Sequence, residues 1–199
     1  MSIIQSAIGS VGVFCGSSNA APRAWLDAAA ALGRILAREK VRLVYGGGGV
    51  GLMGACARAA FESGGSVLGV IPDFLTGREN PVAGIETEVV ATMHARKQRM
   101  FEESDGFAVL PGAIGTLEEA IEILSWRRLG LHAKPIVFLS PDGFWAPLFD
   151  QFERFIAHSL SPTELRACVA QVDRPEDILP ALRAARVDIA VDLHMAART

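Results

Sequence analysis

Cysteines, lysines and long apolar runs are all scarce in this sequence. Its 199 residues include only three cysteines (Cys15, Cys56 and Cys168), which lie far apart and form no CxxC pair. This spacing argues against a disulfide framework or a zinc site and favours free thiols in a reducing cytoplasm. No apolar run reaches the roughly 20 residues that cross a bilayer, and residues 1–6 lack the basic start of a secretory signal. We therefore expect a cytoplasmic protein that has no membrane partner.

Basic charge is scarce as well. The chain has 19 Lys and Arg against 22 Asp and Glu, and its net charge of −3 is unlike that of a general nucleic-acid binder. The sequence is 50 % hydrophobic and its prolines are scattered, which argues against disorder and against a proline-rich linker. A chain of this length is typical of one domain with a substantial core, and we predict a single domain over residues 1–199.

Apolar runs alternate with helical patterns along the chain. Strands are predicted at residues 8–15, 41–45, 66–71, 106–110 and 135–139, with helical patterns between and after them. Residues 73–91 are predicted to form an irregular loop over a site, because they contain Gly77, Pro81 and Gly84. The predicted strands are apolar throughout, so both faces of the sheet should be covered. The sequence therefore predicts an α/β fold, a three-layer, Rossmann-like, doubly wound parallel sheet.

Two glycine-rich loops each lie between a predicted strand and a predicted helix. The first contains Gly46 to Gly49 and Gly51, and the second contains Gly112 and Gly115. Glycine lets backbone N–H groups approach an oxyanion, and the following helix adds unpaired N–H groups and the positive end of its dipole. Two such loops predict a ligand that carries phosphate.

The first loop leaves a dinucleotide alternative open. Its run Gly49-Val50-Gly51-Leu52-Met53-Gly54 matches GxGxxG, and Asp73 follows Gly54 by 19 residues. The motif follows the second predicted strand instead of the first, which disfavours an NAD-dependent enzyme without excluding it. No Gly-Lys-Ser/Thr ends the loop, so ATP hydrolysis of the P-loop type is excluded. GxSxG and HExxH patterns are absent too, and we predict neither a serine hydrolase nor a metal site.

Two charged segments allow both a structural and a functional interpretation. Arg96 and Lys97 lie on a predicted charged helix, either on a solvated face or as residues that bind an anion. In one interpretation of Glu119, Thr116 caps the helix predicted at residues 116–129 and Glu119 reaches back to it in a capping box. In the other, this carboxylate lies beside a phosphate site and stabilises the oxocarbenium-like state in which the glycosidic bond of a nucleotide breaks.

Four segments in a fixed order carry a resemblance to a known family. They are Val13-Phe14-Cys15-Gly16-Ser17-Ser18, Tyr45-Gly46-Gly47-Gly48, Met93-His94-Ala95-Arg96-Lys97 and Pro111-Gly112-Ala113-Ile114-Gly115-Thr116-Leu117-Glu118-Glu119. With them, the chain resembles the LOG (Lonely Guy) family of cytokinin riboside 5′-monophosphate phosphoribohydrolases over residues 8–160. The resemblance implies a Rossmann-like fold and hydrolysis of the N-glycosidic bond of AMP or an N6-substituted AMP. The products are the free base and ribose 5-phosphate, and no cofactor or metal is implied.

The resemblance also implies roles for individual residues. Arg96 and Glu119 are the implied catalytic pair. The residues implied to hold the nucleotide are Glu79, Lys97, Gly47, Gly48, Gly112, Ala113, Ile114, Gly115 and Thr116. Members of the family are similar in forming dimers near the active site, and two of the predicted helices here are more apolar than one buried face requires. We therefore expect a homodimer.

Two features bear on how far the resemblance extends. Ala113 replaces the second glycine of the family pattern PGGxGTxxE, and its methyl group could narrow the loop or demand a negative φ. A nucleotide-binding protein without turnover therefore stays open as an alternative. Bacterial members of the family carry an older label as lysine decarboxylases, but this chain has only Lys40, Lys97 and Lys134. None of them is placed as the Schiff-base lysine of a pyridoxal phosphate enzyme, so we do not expect decarboxylation.

Overall fold

The computed structural model describes residues 8–196, with side chains up to residue 185, so residues 1–6, which lack a predicted secretory signal, lie outside it. Its strands are β1 (Ser10–Phe14), β2 (Arg42–Tyr45), β3 (Val67–Pro72), β4 (Glu86–Val90), β5 (Gly106–Val109), β6 (Ile136–Leu139) and β7 (Ala170–Val172). Its α-helices are α1 (Arg23–Arg38), α2 (Gly51–Glu62), α3 (Thr76–Glu79), α4 (Met93–Glu102), α5 (Ile114–Arg128), α6 (Ala146–Ala157) and α7 (Pro175–Ala196). Further 3-10 helices lie at Asp73–Leu75, Pro141–Gly143 and Thr163–Cys168.

The strands form one parallel sheet in the order β4-β3-β2-β1-β5-β6-β7. The chain builds outward from β1 to one edge and then, from β5, outward to the other, so the strand order reverses between β1 and β5. Helices α1, α2 and α7 cover one face, where Leu32 and Leu182 are buried. Helices α4, α5 and α6 cover the other, where Met100, Ile123 and Phe152 are buried. The predicted Rossmann-like, doubly wound α/β fold is confirmed.

Two strands lie where the sequence predicts none. The prediction of an irregular loop over residues 73–91 is wrong at both ends, because a 3-10 helix and α3 form at its start and β4 forms at its end, where it pairs with β3. Acidic side chains alternate along this edge strand, and two arginines from other elements neutralise them. Arg42 Nη2 lies 3.2 Å from Glu86 Oε2, and Arg99 Nε lies 2.8 Å from Glu88 Oε2. A search for apolar runs misses a strand of this kind, and it misses β7 because that strand is only 3 residues long.

Within residues 8–196, no helix has both the length and the apolar character that a membrane crossing requires.

Candidate active site

The candidate site lies where the strand order reverses. In doubly wound sheets, the loops after the two strands that flank such a reversal leave a crevice that holds ligands. Here the loops after β1 and β5 meet directly, because the N–H of Gly16 donates to the carbonyl oxygen of Pro111 at 3.0 Å. The glycine loop after β2 and the helix α4 border the same crevice, since the backbone of Gly46 lies against Arg96.

Helices α4 and α5 bring a buried ion pair to this crevice. Arg96 in α4 and Glu119 in the second turn of α5 are each 7 % exposed, and Arg96 Nη2 lies 3.4 Å from Glu119 Oε1. The Thr92 hydroxyl caps α4 by accepting a hydrogen bond from Ala95 N at 3.0 Å, which fixes the turn that carries Arg96. The structure thus brings together the two residues that the resemblance implies as a catalytic pair.

The guanidinium group of Arg96 lies against the backbone at the end of β2. A Cβ atom on Gly46 would lie 1.9 Å from Arg96 Nη2, so only glycine leaves room for the side chain in this position. The sulfur of Met93 lies 3.9 Å from Arg96 Nη1. Arg96 Nε is buried and has no hydrogen-bond partner among the described residues. This guanidinium group therefore has a donor left for a bound ligand.

The surroundings of Glu119 make its carboxyl group a weaker acid than usual. Burial raises the pKa of Glu119 from 4.5 to about 7, and the charge of Arg96 opposes this rise. The carboxylates of Glu118 and Glu79 raise the pKa further, whereas the charge of Lys97 lowers it. A carboxyl group with a pKa near neutrality exchanges its proton at physiological pH, which suits it to acid–base chemistry.

The start of α5 offers free hydrogen-bond donors beside this pair. The N–H groups of Ile114, Gly115 and Thr116, the first residues of the helix, have no hydrogen-bond partner in the part of the chain that the structure describes. Unpaired N–H groups at a helix N-terminus, together with the helix dipole, form a site for an anion. Gly112 keeps the preceding loop close to the helix, because a Cβ atom there would lie 2.2 Å from Thr116 Oγ1.

Ala113 fits this loop without strain. It is exposed and forms the N-cap of α5 with a φ of −95°, which any residue other than proline adopts readily. Neither a positive φ nor a buried position demands the glycine that the family pattern has here. The substitution therefore no longer favours a nucleotide-binding protein without turnover.

The capping-box interpretation of Glu119 is wrong. Helix α5 begins at Ile114, so Thr116 is buried inside its first turn and does not cap it. The carboxylate of Glu119 faces Arg96, with which it forms an ion pair across to α4. The capping pattern in the sequence misplaces the N-cap, which is Ala113 and not Thr116, and Ala113 caps α5 without a side-chain hydrogen bond.

The start of α2 is closed, in contrast to that of α5. The N–H of Gly51 donates to Asn19 Oδ1 at 2.8 Å, and the carbonyl oxygen of Gly16 accepts from Leu52 N at 3.0 Å and from Met53 N at 3.4 Å. These are the donors that a dinucleotide pyrophosphate needs in a GxGxxG site. Because the chain's own groups occupy them, the dinucleotide alternative loses its support.

The first glycine loop instead lies against Glu79, at the end of α3. A Cβ atom on Gly48 would lie 2.7 Å from Glu79 Oε2, and Gly49 N donates to the carbonyl oxygen of Glu79 at 2.7 Å. Gly47 has a φ of +81°, which turns the loop tightly at this point. Glu79 Oε2 is buried without a hydrogen-bond partner among the described residues, so it is available to a ligand donor.

Lys97 lies next to the site but faces acidic side chains of α5. Its ammonium group contacts Glu118 Oε1 and lies 3.0 Å from Glu122 Oε2. The desolvation of the partly buried amine lowers the pKa of Lys97, but its hydrogen bonds to Glu118 and Glu122 outweigh this and raise it. A direct contact between Lys97 and a nucleotide stays a prediction.

Cys15 is a site residue that the sequence interpretation left among the free structural thiols. It follows β1 at the reversal point, and burial raises the pKa of its thiol well above the usual range. The charge of Glu119 raises the pKa of this thiol further, and the charge of Arg96 lowers it. Its position at the end of the first predicted strand was the signal that could have placed it here.

Comparison of the sequence with known proteins gives a matching family model and similar proteins from a plant and a bacterium. The model of a family described as "Possible lysine decarboxylase" matches residues 53–182. A probable cytokinin riboside 5′-monophosphate phosphoribohydrolase of Oryza sativa subsp. japonica is 45 % identical over 163 residues, which are 81 % of this chain and 72 % of that protein. A cytokinin riboside 5′-monophosphate phosphoribohydrolase of Rhodococcoides fascians is 42 % identical over 176 residues, which are 87 % of this chain and 89 % of that protein.

Comparison with solved structures supports the fold. The molybdenum cofactor carrier protein of Chlamydomonas reinhardtii superimposes with a TM-score of 0.66 at 21 % identity, over 89 % of this chain and 98 % of that one. The molybdenum cofactor binding protein of Rippkaea orientalis gives a TM-score of 0.61 at 22 % identity, over 96 % of this chain and 98 % of that one. At this level of identity, the likeness concerns the fold alone.

Proposed function

Because the chain belongs to the LOG family of cytokinin riboside 5′-monophosphate phosphoribohydrolases, we propose that it hydrolyses the N-glycosidic bond of AMP or an N6-substituted AMP. The products are a free adenine-type base and ribose 5-phosphate. The observation that carries this proposal is the buried pair of Arg96 and Glu119 beside the unpaired N–H groups that start α5. An anion site one helical turn from a titratable carboxylate fits a substrate whose phosphate and scissile bond lie at the two ends of one ribose.

The catalytic step assigned to this pair is a displacement at the ribose. A water oxygen forms a bond to C1′ while the bond from C1′ to the base nitrogen breaks, and the base leaves with the bonding electrons and takes up a proton. Glu119, as a carboxylate, stabilises the positive charge that develops on the ribose and accepts the proton of the attacking water. Arg96 holds the carboxylate in place and keeps part of its population ionised near neutral pH.

The substrate-binding roles follow the contacts available in the crevice. The loop and helix start from Gly112 to Thr116, including Ala113, bind the phosphate through backbone N–H groups. The free Glu79 Oε2 accepts a hydrogen bond from a ribose hydroxyl group, and Gly47 and Gly48 let the chain approach it closely. No metal or organic cofactor takes part in this scheme.

The lysines do not favour the decarboxylase description of the family model. Lys40 is exposed at the turn after α1, and Lys134 Nζ contacts the carbonyl oxygen of Phe101 and lies 4.0 Å from the centre of its ring. Lys97 is held by two carboxylates. None of the three is therefore placed as a Schiff-base lysine in the crevice.

A direct assay tests the proposal. Purified protein is incubated with AMP and with an N6-substituted AMP in the presence of EDTA, and free base is measured by chromatography. We expect release of base from both nucleotides and none from adenosine, which lacks the phosphate. Intact nucleotides after long incubation at high protein concentration would contradict the proposed activity.

We also propose that the protein is a homodimer and that it acts in the cytoplasm. Leu129 and Leu131, at the end of α5, are 71 % and 69 % exposed, which supports a further contact surface on the face of the sheet that α5 covers. Cys15, Cys56 and Cys168 are free thiols, which fits a reducing compartment.

A further inference from the structure

Two pairs of consecutive residues join α4 to α5. Arg96 contacts Glu119, and its neighbour Lys97 contacts Glu118, the neighbour of Glu119. Lys97 also lies 3.0 Å from Glu122, which is one turn further along the same face of α5. The ammonium group thus spans a full turn of the helix that carries the proposed catalytic carboxylate.

The ammonium group of Lys97 is poorly placed to bind a phosphate group. Its side chain is 12 % exposed, and the carboxylates of Glu118 and Glu122 together carry more charge than the lysine does. A phosphate dianion would have to displace these carboxylates and remain close to their negative charge. The N–H groups at the start of α5, by contrast, have no competing acceptor among the described residues.

We infer that Lys97 is a positioning residue, which clamps Glu118 and Glu122 and so holds Glu119 against Arg96, and that it does not bind the nucleotide as the family resemblance implies. The inference rests on the proposed function, because it concerns the same site. Losing the clamp would let α5 move relative to α4, and a misplacement of about 1 Å between reacting groups costs about a hundredfold in rate. The substrate phosphate would still find its donors at the start of α5.

The clamp also acts on the ionisation of Glu119. The positive charge of Lys97 lowers the pKa of Glu119, and the negative charge of Glu118 raises it. Loss of either charge should therefore move the acidic limb of the profile of kcat/KM against pH, and in opposite directions. The other charged groups that act on the pKa of Glu119 are Arg96 from α4 and Glu79 from α3. Glu119 in turn raises the pKa of the Cys15 thiol, which follows β1.

Steady-state kinetics with AMP separate positioning from binding. In the positioning role, Lys97→Met and Glu122→Gln both lower kcat about tenfold or more while KM changes little. In a binding role the two changes have opposite effects on KM: Lys97→Met raises it, whereas Glu122→Gln frees Lys97 for the phosphate and lowers it. That opposition would overturn the inference. As a matched control, Arg166→Met removes the exposed ion pair with Glu153, 2.6 Å across, and should leave both constants unchanged.

The pH profile adds a readout that loose packing alone does not move. We expect the acidic limb to shift to higher pH in Lys97→Met and to lower pH in Glu118→Gln, with Lys97→Arg restoring the wild-type position. An unchanged limb in both charge-removing variants contradicts the inference. Thermal unfolding of each variant confirms that it is folded at the assay temperature.

Binding of ribose 5-phosphate, measured by calorimetry, makes the test independent of turnover. The affinity should be the same in Lys97→Met and in the wild type within about twofold, and a loss of about tenfold or more would overturn the inference alone. A wild-type protein that neither hydrolyses AMP nor binds ribose 5-phosphate would overturn the proposed function, and the inference with it. The two failures are therefore distinguishable.

Discussion

At the scale of single residues, two opposing effects act on the pKa of Glu119. Burial disfavours its charged form, and the guanidinium group of Arg96, 3.4 Å away, favours it. The balance leaves its pKa at about 7, so both protonation states are populated near neutrality. Arg96 is buried to the same extent, so water cannot replace either side chain as the partner of the other.

Substitution of this pair tests its proposed catalytic role. Glu119→Gln should lower kcat by a factor of about 100 or more, because it removes the charge that stabilises the transition state, while AMP still binds. Arg96→Ala should lower kcat similarly, and the double variant should be little worse than either single one, since the two residues act as a unit. Turnover is measured by release of base, and binding by calorimetry. Glu62→Gln, at the exposed end of α2, is the control, and near-normal turnover in Glu119→Gln would falsify the mechanism.

The same carboxyl group should make stability depend on pH. Its pKa is raised on folding from 4.5 to about 7, so the folded state favours the protonated form. Its stabilising contribution is complete below about pH 4.5 and is lost as the pH rises to about 7. The Tm of the wild-type protein, compared with that of Glu119→Gln, should therefore fall between these two pH values. Above them, the difference between the two Tm values should stay constant. A difference in Tm that does not change with pH would contradict the raised pKa.

At the scale of secondary structure elements, the ends of strands set the site. The end of β2 touches α4 so closely that Gly46 has no room for a side chain. The start of α5 is open to a ligand, whereas Asn19 and Gly16 close the start of α2. Two similar strand–glycine–helix junctions thus differ in whether their N–H groups are free to bind a ligand. Hydrogen bonds to the loop after β1 occupy the N–H groups of α2 and leave those of α5 free.

Gly46→Ala should separate the site from the fold. The new Cβ atom would lie 1.9 Å from Arg96 Nη2, which is the far end of a flexible side chain, so Arg96 should move away from Glu119 while the backbone stays in place. We expect a loss of kcat of about tenfold or more, with a Tm close to that of the wild type. Gly77→Ala is the matched control, because its Cβ atom would meet nothing within 4 Å. Full activity in Gly46→Ala would show that the position of Arg96 does not matter.

Ligand-dependent stability should distinguish the two helix starts. AMP should raise Tm, because its phosphate has free N–H donors at the start of α5, whereas NAD should raise it less. At the start of α2, the N–H group of Gly51 already donates to Asn19 Oδ1, so it is not free to bind the pyrophosphate of NAD. The measurement is a thermal unfolding series at equal concentrations of the two ligands. Stronger protection by NAD would restore the dinucleotide alternative.

The sequence predicts those elements whose cause is local. The five apolar strands and the glycine loops are visible because burial on both faces and tight turns impose their own composition. Strand β4 is not visible, since Arg42 and Arg99 neutralise its acidic residues from distant parts of the chain. Within the site, the motifs predict Arg96 and Glu119, but the contacts of Lys97 depend on how α4 packs against α5. No local pattern encodes that packing.

At the scale of the whole molecule, the loops after β1, β2 and β5 lie side by side at the carboxyl ends of the central strands, where the strand order reverses. The site therefore draws on both halves of the sheet, although the residues that form it are spread from Cys15 to Glu119. Much of the apolar surface of α5 and α6 packs in the core, since Leu124 and Phe152 are buried, as is Trp145 at the N-cap of α6. The exposed Leu129 and Leu131 remain on the outside of the described chain.

The homodimer is tested in solution. Light scattering at micromolar concentration should give twice the chain mass of 21.2 kDa. Substituting Leu129 and Leu131 by serine should weaken association if the exposed end of α5 contributes, and activity should be followed alongside. A single species at the mass of one chain would contradict the dimer.

The two edges of the sheet restrict how copies of this chain associate. An edge strand with free N–H and C=O groups invites a strand from another molecule, and inserted charges or short strands discourage it. Here one edge, β4, carries Glu86 and Glu88, and the other, β7, is only 3 residues long. Neither end of the sheet is suited to extension by a neighbour. Self-association should therefore occur through the helical layers, and concentrated protein should resist the strand-to-strand growth that leads to fibrils.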